Sequence, residues 1–239
     1  MRLITLNVWG GRLEAPLLDF VKANSTDVDV FCFQEVFDRI EGIPSKLRKD
    51  AKLTLLDDLK GVLKGFDFRT AKSGICENQG EILTVFVKNG IEIRKSGVVP
   101  VCVRPEFELG LQYLELVAGK KIYTVFNIHG YWDESGKGET PERFEQSENI
   151  LKFMKGGKGK KILCGDFNMR PNNGSTILLE KDLRNLVKEH KIGSTRTKLY
   201  NGDERFADYI FVSKDVKVSR FEALGDVISD HMPLLVEFS

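Results

Sequence analysis

The chain has 239 residues, a net charge of +1 and a hydrophobic content of 41%, which are ordinary values for a globular domain. They exclude the strongly basic balance of a dedicated nucleic-acid-binding module. No apolar run reaches the ~18 residues of a membrane span, and the N-terminus has the pattern of a strand, not of a signal peptide. We therefore expect one domain over residues 1–239, a cytoplasmic location and no membrane insertion.

The four cysteines have no spacing typical of a zinc site or a disulfide framework. They are Cys32, Cys76, Cys102 and Cys164. Cys32 and Cys164 lie in apolar runs and are predicted to be small buried core residues.

The first quarter of the chain predicts a strand at 4–8, a helix around Leu17–Val21, a strand at 28–33 and a second helix at 43–63. The run at 28–33 is almost continuously apolar, as expected of a strand buried on both faces.

The middle of the chain is rich in strand patterns, which fall at 66–70, 82–88, 91–99, 111–117 and 121–128. Lys88-Asn89-Gly90 and Ala118-Gly119-Lys120 have the composition of hairpin turns, so each is predicted to join two paired strands.

The last part begins with a helix start at Thr140-Pro141, because threonine is a good N-cap and proline suits the first turn. A strand at 161–164, a helix at 177–187, a hairpin of 209–212 with 216–221 and a closing strand at 234–238 follow. Helices between strands in both halves, with hairpins between, predict an α/β (α+β) fold of two mixed sheets packed face to face with helices outside.

Polar residues end or begin several of these apolar runs. In Gly165-Asp166-Phe167-Asn168, the two polar side chains are two residues apart and share one side of an extended strand. Comparable positions are held by Asn7, Glu35, His129, Asp208, Asp230 and His231. Each alone has an ordinary interpretation as a turn, cap or solvated side chain. Two of the three histidines fall in these clusters, so together they predict one site at converging strand ends.

These residue types suit hydrolysis of a phosphate ester. Glu35 and Asn7 offer the oxygen ligands that Mg2+ prefers. Asp166 can orient and deprotonate water, and Asn168 and the histidines can donate to phosphoryl oxygens as charge builds. Asp208 is expected to fix the tautomer of His231.

Six segments, in family order, resemble the endonuclease/exonuclease/phosphatase superfamily with its deoxyribonuclease I-like fold. They begin at Leu6-Asn7, Gln34-Glu35, Asn127-Ile128-His129, Gly165-Asp166, Ala207-Asp208 and Ser229-Asp230-His231. The resemblance implies a four-layer sandwich and a divalent-metal-dependent phosphoesterase that uses Mg2+, with Mn2+ as an alternative.

The resemblance also implies roles for individual residues. Asn7 and Glu35 would hold the metal, and His129 would contact the phosphate or serve the leaving group. Asp166 would position and deprotonate the water, while Asn168 would stabilise the transition state. His231, oriented by Asp208, would bind the scissile phosphate, and Asp230 would assist His231 or a second metal. An acid that supports the first histidine is either Glu81 or Glu77.

The expected substrate is a phosphodiester, which makes a nuclease or DNA-repair phosphodiesterase the first interpretation. The alternatives are a small-molecule or lipid-headgroup phosphoesterase, akin to inositol phosphatases or sphingomyelinases, and a non-catalytic nucleic-acid-binding relative. The presence of Glu35, Asp166 and His231 favours an enzyme. Arg196 and Arg170 are the predicted substrate contacts, the loop 130–138 is expected to be a solvated lid, and no obligate protein partner is evident.

Overall fold

The computed structural model describes residues 1–38, 50–74 and 81–239. Its strands are β1 (Arg2–Asn7), β2 (Val30–Phe37), β3 (Phe66–Lys72), β4 (Glu81–Lys88), β5 (Glu92–Arg104), β6 (Phe107–Ala118), β7 (Lys121–His129), β8 (Lys160–Asp166), β9 (Leu183–Asn185), β10 (Asp208–Ser213), β11 (Val218–Ala223) and β12 (Leu234–Phe238). The α-helices are α1 (Glu14–Asn24), α2 (Leu55–Val62), α3 (Pro141–Gly156), α4 (Gly174–Asp182) and α5 (Leu186–Glu189), and a 3-10 turn covers Trp9–Gly11. None of the described helices is long and apolar enough to cross a membrane.

Two six-stranded mixed sheets form the centre of the fold, which confirms the predicted sandwich. One sheet has the strand order β11-β12-β1-β2-β4-β3 and the other β5-β6-β7-β8-β10-β9. Each contains one parallel pair, β1 with β2 and β7 with β8. A helix joins each parallel pair, α1 in the first sheet and α3 in the second. The carboxyl ends of the four parallel strands therefore carry Asn7, Glu35, His129 and Asp166 to the same end of the sandwich.

The alternation of side chains along β1 explains the layers. Leu3 packs into the core between the sheets, whereas Ile4 and Leu6 pack with α1 and α2 on the outer face. Cys32 and Cys164 are buried as predicted, Cys102 is buried as well, and Cys76 lies outside the described residues.

A buried amide network links the sheets directly beneath the strand ends. Gln34 Nε2 donates to Asn127 Oδ1 at 2.7 Å, and Asn127 Nδ2 donates to the Phe33 carbonyl at 3.1 Å and to Gln112 Oε1 at 3.3 Å. Buried polar groups that satisfy one another in this way fix the register of two packed layers. The network thus holds the ends of β2 and β7 in a defined position relative to each other.

Two of the three predicted hairpins are wrong. The turn at Lys88-Asn89-Gly90 leads from β4 into β5, which belongs to the other sheet, and β10 and β11 also lie in different sheets. β11 pairs instead with β12. The turn at 118–120 does join a hairpin, since β6 pairs with β7 antiparallel. Turn composition determines a reversal locally, but packing of the second sheet decides which strand is the partner.

Two helix predictions also need correction. The pattern at 177–187 contains the end of α4, the short strand β9 and the start of α5, because Leu183–Asn185 pairs with β10. Within 43–63, the described helix is Leu55–Val62, and residues 43–49 lie outside the described residues.

Substitution of Gly165 by alanine is expected to lower the free energy of unfolding by about 3 kcal/mol, from backbone strain together with overpacking. Gly165 has φ +134°, and an added Cβ would lie 2.0 Å from the Ile128 carbonyl oxygen. Urea unfolding measures the change. Gly61→Ala is the control, since Gly61 is exposed in α2 with no atom within 4 Å of an added Cβ, and it should be neutral or stabilising. Equal stability of the two variants would contradict the prediction.

Candidate active site

A cleft of about 590 Å³ opens at the shared end of the two sheets. It collects six of the eight residues predicted for catalysis and metal binding, and Arg196 as well. Its polar and charged lining consists of Arg12, Glu35, Glu81, His129, Lys137, Asp166, Asn168, Arg196, Asp230 and His231. Aromatic rings of Trp9, Phe37, Phe107, Tyr131, Trp132 and Tyr200 form much of the remaining wall. Asn7 and Asp208 lie behind this surface and contact the lining residues.

Backbone strain is concentrated at the cleft. Among the described non-glycine residues with positive φ, Trp9 (52°), Glu35 (57°) and Asn168 (52°) all line it. The register of β2 against β4 shifts between Phe33 and Val36, so Glu35 lies in a bulge. Such conformations are disfavoured and persist where the surrounding fold enforces them, and bulges re-aim side chains next to functional sites.

Asp166 lies at the centre of the polar cluster and is 2% exposed. Its Oδ1 accepts a hydrogen bond from the Asn168 backbone N–H at 2.9 Å, and its Oδ2 accepts one from Asn7 Nδ2 at 3.1 Å. Oδ2 is also 3.6 Å from His231 Nε2 and 3.8 Å from His129 Nε2. Burial opposes ionisation, but His231, Lys137 and His129 outweigh it and hold the pKa of Asp166 well below its usual range. The carboxylate is therefore ionised and firmly oriented.

His231 is oriented by Asp208, as the sequence predicts. Its Nδ1 lies 2.9 Å from both carboxylate oxygens of Asp208, so Nδ1 carries the proton and donates it to this acid. Nε2 contacts Nη1 of Arg196. Burial lowers the pKa of His231, but the carboxylates of Asp208 and Asp166 outweigh burial and the opposing charge of Arg196, so the pKa is raised.

His129 lies among three carboxylates. Its Nε2 is 3.8 Å from Glu35 Oε1, and its Nδ1 is 3.7 Å from Glu81 Oε2. Of the two acids predicted to support this histidine, Glu81 is in place, and Glu77 lies outside the described residues. Burial and the charges of Glu35 and Asp166 raise the pKa of Glu81 well above its ordinary value.

The carboxylates around His129 fit a hard divalent cation. Asn7 Nδ2 bridges Glu35 Oε1 (2.8 Å) and Asp166 Oδ2, which holds these two acids side by side. Burial, followed by the charges of Glu35 and Asp166, raises the pKa of Glu81, and a cation bound to these oxygen donors would stabilise their ionised forms. Asn7 Oδ1 accepts the Trp9 N–H at 2.9 Å, so ligation through this oxygen would require the amide to turn.

A second group of donors lies on the other side of Asp166. One ligand atom from each of Asp166, Asp208 and His231 falls within 4.8 Å of the others. In this group the imidazole and Asp208 are hydrogen-bonded to each other. The oxygen-rich set around Glu35 therefore suits Mg2+ better, and the histidine-containing set would suit a softer metal.

The two predicted substrate arginines differ in position. Arg196 is 7% exposed, donates from Nη1 to Asp230 Oδ2 at 3.0 Å and stacks over Tyr200 at 4.2 Å from the ring centre. Its backbone also forms a bridge to that of His231. Arg170 is exposed, binds Glu204 at 2.9 Å through Nε and does not line the cleft. The structure thus brings Arg196 to the other predicted residues and leaves Arg170 outside.

Sequence reasoning missed Lys137 and Arg143. The loop 130–138 is not simply a solvated lid, since Trp132 is 53% exposed but Lys137 is 4% exposed and lines the cleft. Arg143 on α3 is fully buried and ion-pairs with Asp133 of this loop at 3.1 Å. Its Nε also donates to the Asn168 carbonyl at 3.0 Å. The available clue in the sequence was Arg143, a charged residue in the first turn of the helix that begins at Pro141.

Comparison with known families identifies the class of protein. The model of the Endonuclease/Exonuclease/phosphatase family matches residues 4–231, and the chain belongs to this family. Membership supports hydrolysis of phosphate esters. No curated protein matches the chain at a significant level.

Solved structures share the fold at low sequence identity. A mannosyl-6-phosphatase from Bacteroides thetaiotaomicron is 20% identical with a TM-score of 0.76, and the match covers 100% of this chain and 99% of that one. Humanized TDP2 of D. rerio is 14% identical with a TM-score of 0.74, over 100% and 98% of the chains. The human Nocturnin catalytic domain with bound sulfate is 17% identical with a TM-score of 0.70, over 100% and 93%. Likeness at these identities establishes the deoxyribonuclease I-like fold alone.

Proposed function

We propose that the chain is a divalent-metal-dependent phosphoric ester hydrolase that promotes in-line attack of water on phosphorus. The observation that carries the proposal is the position of Asp166, an oriented, ionised carboxylate whose Oδ2 lies within 3.8 Å of Nε2 of both His129 and His231. An arrangement of one base between two potential phosphate donors matches the needs of hydrolysis, in which water loses a proton while negative charge builds on the phosphoryl oxygens.

Each side chain has a defined task in this proposal. Asp166 orients the water and accepts its proton. The hydrogen bonds that it accepts from the Asn168 backbone N–H and from Asn7 Nδ2 hold its carboxylate in one orientation. When His231 is protonated, its Nε2–H can donate a hydrogen bond to a phosphoryl oxygen, and the carboxylate of Asp208 balances the charge of the imidazolium. His129 and the side-chain amide of Asn168 supply further hydrogen-bond donors to the phosphoryl oxygens.

Glu35, with Glu81 nearby and with Asn7 once its amide has turned, would hold the divalent metal, and the proposed metal is Mg2+ with Mn2+ as an alternative. When bound, the metal would neutralise charge on the phosphate and polarise it toward attack. The residues of the chain then serve to hold the carboxylates together, exclude bulk water and move the proton.

Nucleic acid is the first candidate substrate. Trp132 is exposed at the rim, and Trp9 and Tyr200 are half-buried in the wall, so bases of a strand entering the cleft can stack on these rings. Arg12 lies over Trp9 at 4.7 Å from the ring centre, which adds a cation beside one of them. A small phosphorylated molecule is the second candidate, favoured by the buried ammonium of Lys137 in the cleft.

Hydrolysis assays over a substrate panel test the proposal. The purified protein is incubated with Mg2+, Mn2+ or EDTA and with single- and double-stranded DNA, an abasic duplex, RNA, a 5′-tyrosyl DNA adduct, sphingomyelin, inositol phosphates and hexose phosphates. Metal-dependent release of product from any member supports the proposal, and the preferred member selects the candidate substrate. Absence of metal-dependent hydrolysis throughout would favour the non-catalytic binding alternative.

Substitution of Glu35 by glutamine is expected to raise the Mg2+ concentration for half-maximal activity by at least about 10-fold, the effect typical of disturbed metal ligation. The reason is that the amide keeps the shape of the side chain and removes the charge that faces the cation. A metal titration of initial rates measures the shift. The matched control is Glu148→Gln on the exposed face of α3. A titration curve identical to that of the wild type would remove Glu35 from the ligand set.

A further inference from the structure

Within the described part of the chain, Lys137 is buried without a hydrogen-bond partner for its ammonium group. It is 4% exposed and lines the cleft, and its Nζ makes no hydrogen bond to any described residue. The nearest interaction is with the face of Tyr200, whose ring centre is 5.8 Å from Nζ. Burial lowers the pKa of Lys137, and the surrounding carboxylates, Asp166 foremost, only partly oppose this effect. A buried ammonium in such a position is unfavourable until an anion joins it.

Hydrogen bonds from neighbouring side chains fix the backbone around Lys137, so the fold determines the burial of this residue. Asn173 Nδ2 donates to the Lys137 carbonyl at 2.9 Å. The guanidinium of Arg143 donates to the carbonyls on either side, those of Gly136 (2.6 Å) and Gly138 (2.9 Å). Three consecutive carbonyls are thus each fixed by a buried side chain, and the lysine between them is directed into the cleft.

The charges of the cleft are divided. Glu35 and Glu81 lie on the His129 side, whereas Arg196 contacts His231 on the other side. Lys137 belongs to the second half, because its Nζ and the guanidinium of Arg196 both lie over the ring of Tyr200. Arg196 also has a buried Nε without a hydrogen-bond partner among the described residues. This half therefore presents two unsatisfied cationic donors beside the imidazole proposed to bind phosphate.

We propose that Lys137 Nζ binds a non-bridging oxygen of the substrate phosphate, and that the substrate is a phosphate monoester. A monoester carries a charge of about −1.5 to −2 at neutral pH and exposes three terminal oxygens. A diester carries a single charge and two such oxygens, so it would offset less of the positive charge of Lys137 and Arg196. This inference rests on the proposed hydrolase function and decides between its two candidate substrates in favour of a small or terminal monoester.

The test compares two esters with the same leaving group, p-nitrophenyl phosphate and methyl p-nitrophenyl phosphate, in wild type and Lys137→Met. We expect the substitution to lower kcat/KM about 10- to 100-fold for the monoester, the range for one charge-assisted hydrogen bond, and less than about threefold for the diester. The control is Lys120→Met, in the exposed turn between β6 and β7, which should change neither value. Thermal unfolding of Lys137→Met checks that the variant is folded, since Lys137 is also one of the charges that keep Asp166 ionised.

A binding measurement without metal separates this inference from the proposed function. In EDTA, the wild type is expected to bind methyl phosphate at least about 10-fold more tightly than dimethyl phosphate, from one added charge-assisted contact, and Lys137→Met should lose the preference. Equal losses for both esters, an unchanged monoester rate or equal binding of the two phosphates would overturn the inference. If neither ester is hydrolysed with any metal, the hydrolase proposal fails, and the binding preference still decides the role of Lys137.

Discussion

Asp166→Asn is expected to lower kcat by about 10²- to 10⁴-fold, the usual contribution of a positioned general base. The amide retains the size of the side chain and one oxygen for the Asn168 N–H, but it cannot take a proton from water. It also replaces an acceptor with a donor on the side where Asn7 Nδ2 points. Since the pKa of Asp166 lies below its usual range, the wild-type carboxylate stays ionised at neutral pH, and the loss should be nearly constant from pH 6 to 8.

The measurement is a steady-state rate at saturating metal and substrate, together with a metal titration. Metal binding should persist to a large extent, because Glu35 and Glu81 remain. Asp203→Asn, in an exposed loop, is the matched control. Wild-type turnover in the Asp166 variant would remove this residue from the mechanism, whereas loss of structure would appear as a lowered melting temperature.

His231→Ala is expected to lower kcat/KM by about 10²- to 10³-fold, the size found when one donor to a developing oxyanion is removed. The imidazole is the side chain that connects Asp208 with the phosphate-binding half of the cleft. Its loss would leave the buried Asp208 carboxylate without its partner, so the free energy of unfolding should fall as well. The exposed His190 provides the control as His190→Ala.

Protonation of His231 adds a dependence on pH. Its pKa is raised in the folded protein, so the imidazolium contributes stability that is fully present below the unfolded value of about 6.5 and is lost as pH rises through the folded pKa. Activity that depends on the imidazolium should fall across the same alkaline interval. Asp208→Asn removes the largest charge that raises this pKa, so the alkaline limb of the kcat/KM profile should move to lower pH. An unmoved limb would mean that another group titrates there.

Local motifs predicted most of the candidate site. Asp166, Asn168 and His129 follow apolar runs that predict buried strands, and taken together these residues indicated a site at the strand ends. The orientation of His231 by Asp208 was also predicted, although 23 residues separate them. The burial of Lys137 was not predicted, because a lysine between glycines in a polar loop has the composition of a solvated turn. Its burial depends on Asn173 and Arg143, which hold the loop from distant parts of the sequence.

The sequence predicted most of the strands and helices, the packing of two sheets between helices, and which polar residues terminate the strands. These features follow from periodicity and from side-chain chemistry along short stretches of chain. The tertiary structure was needed to show that the turn at 88–90 crosses between sheets, that Arg170 pairs away from the cleft, and that Lys137 and Arg196 both lie over Tyr200. The physical reason is that these outcomes depend on the burial and pairing of charges distant in sequence, and the free energy of a charge is set by its surroundings in space.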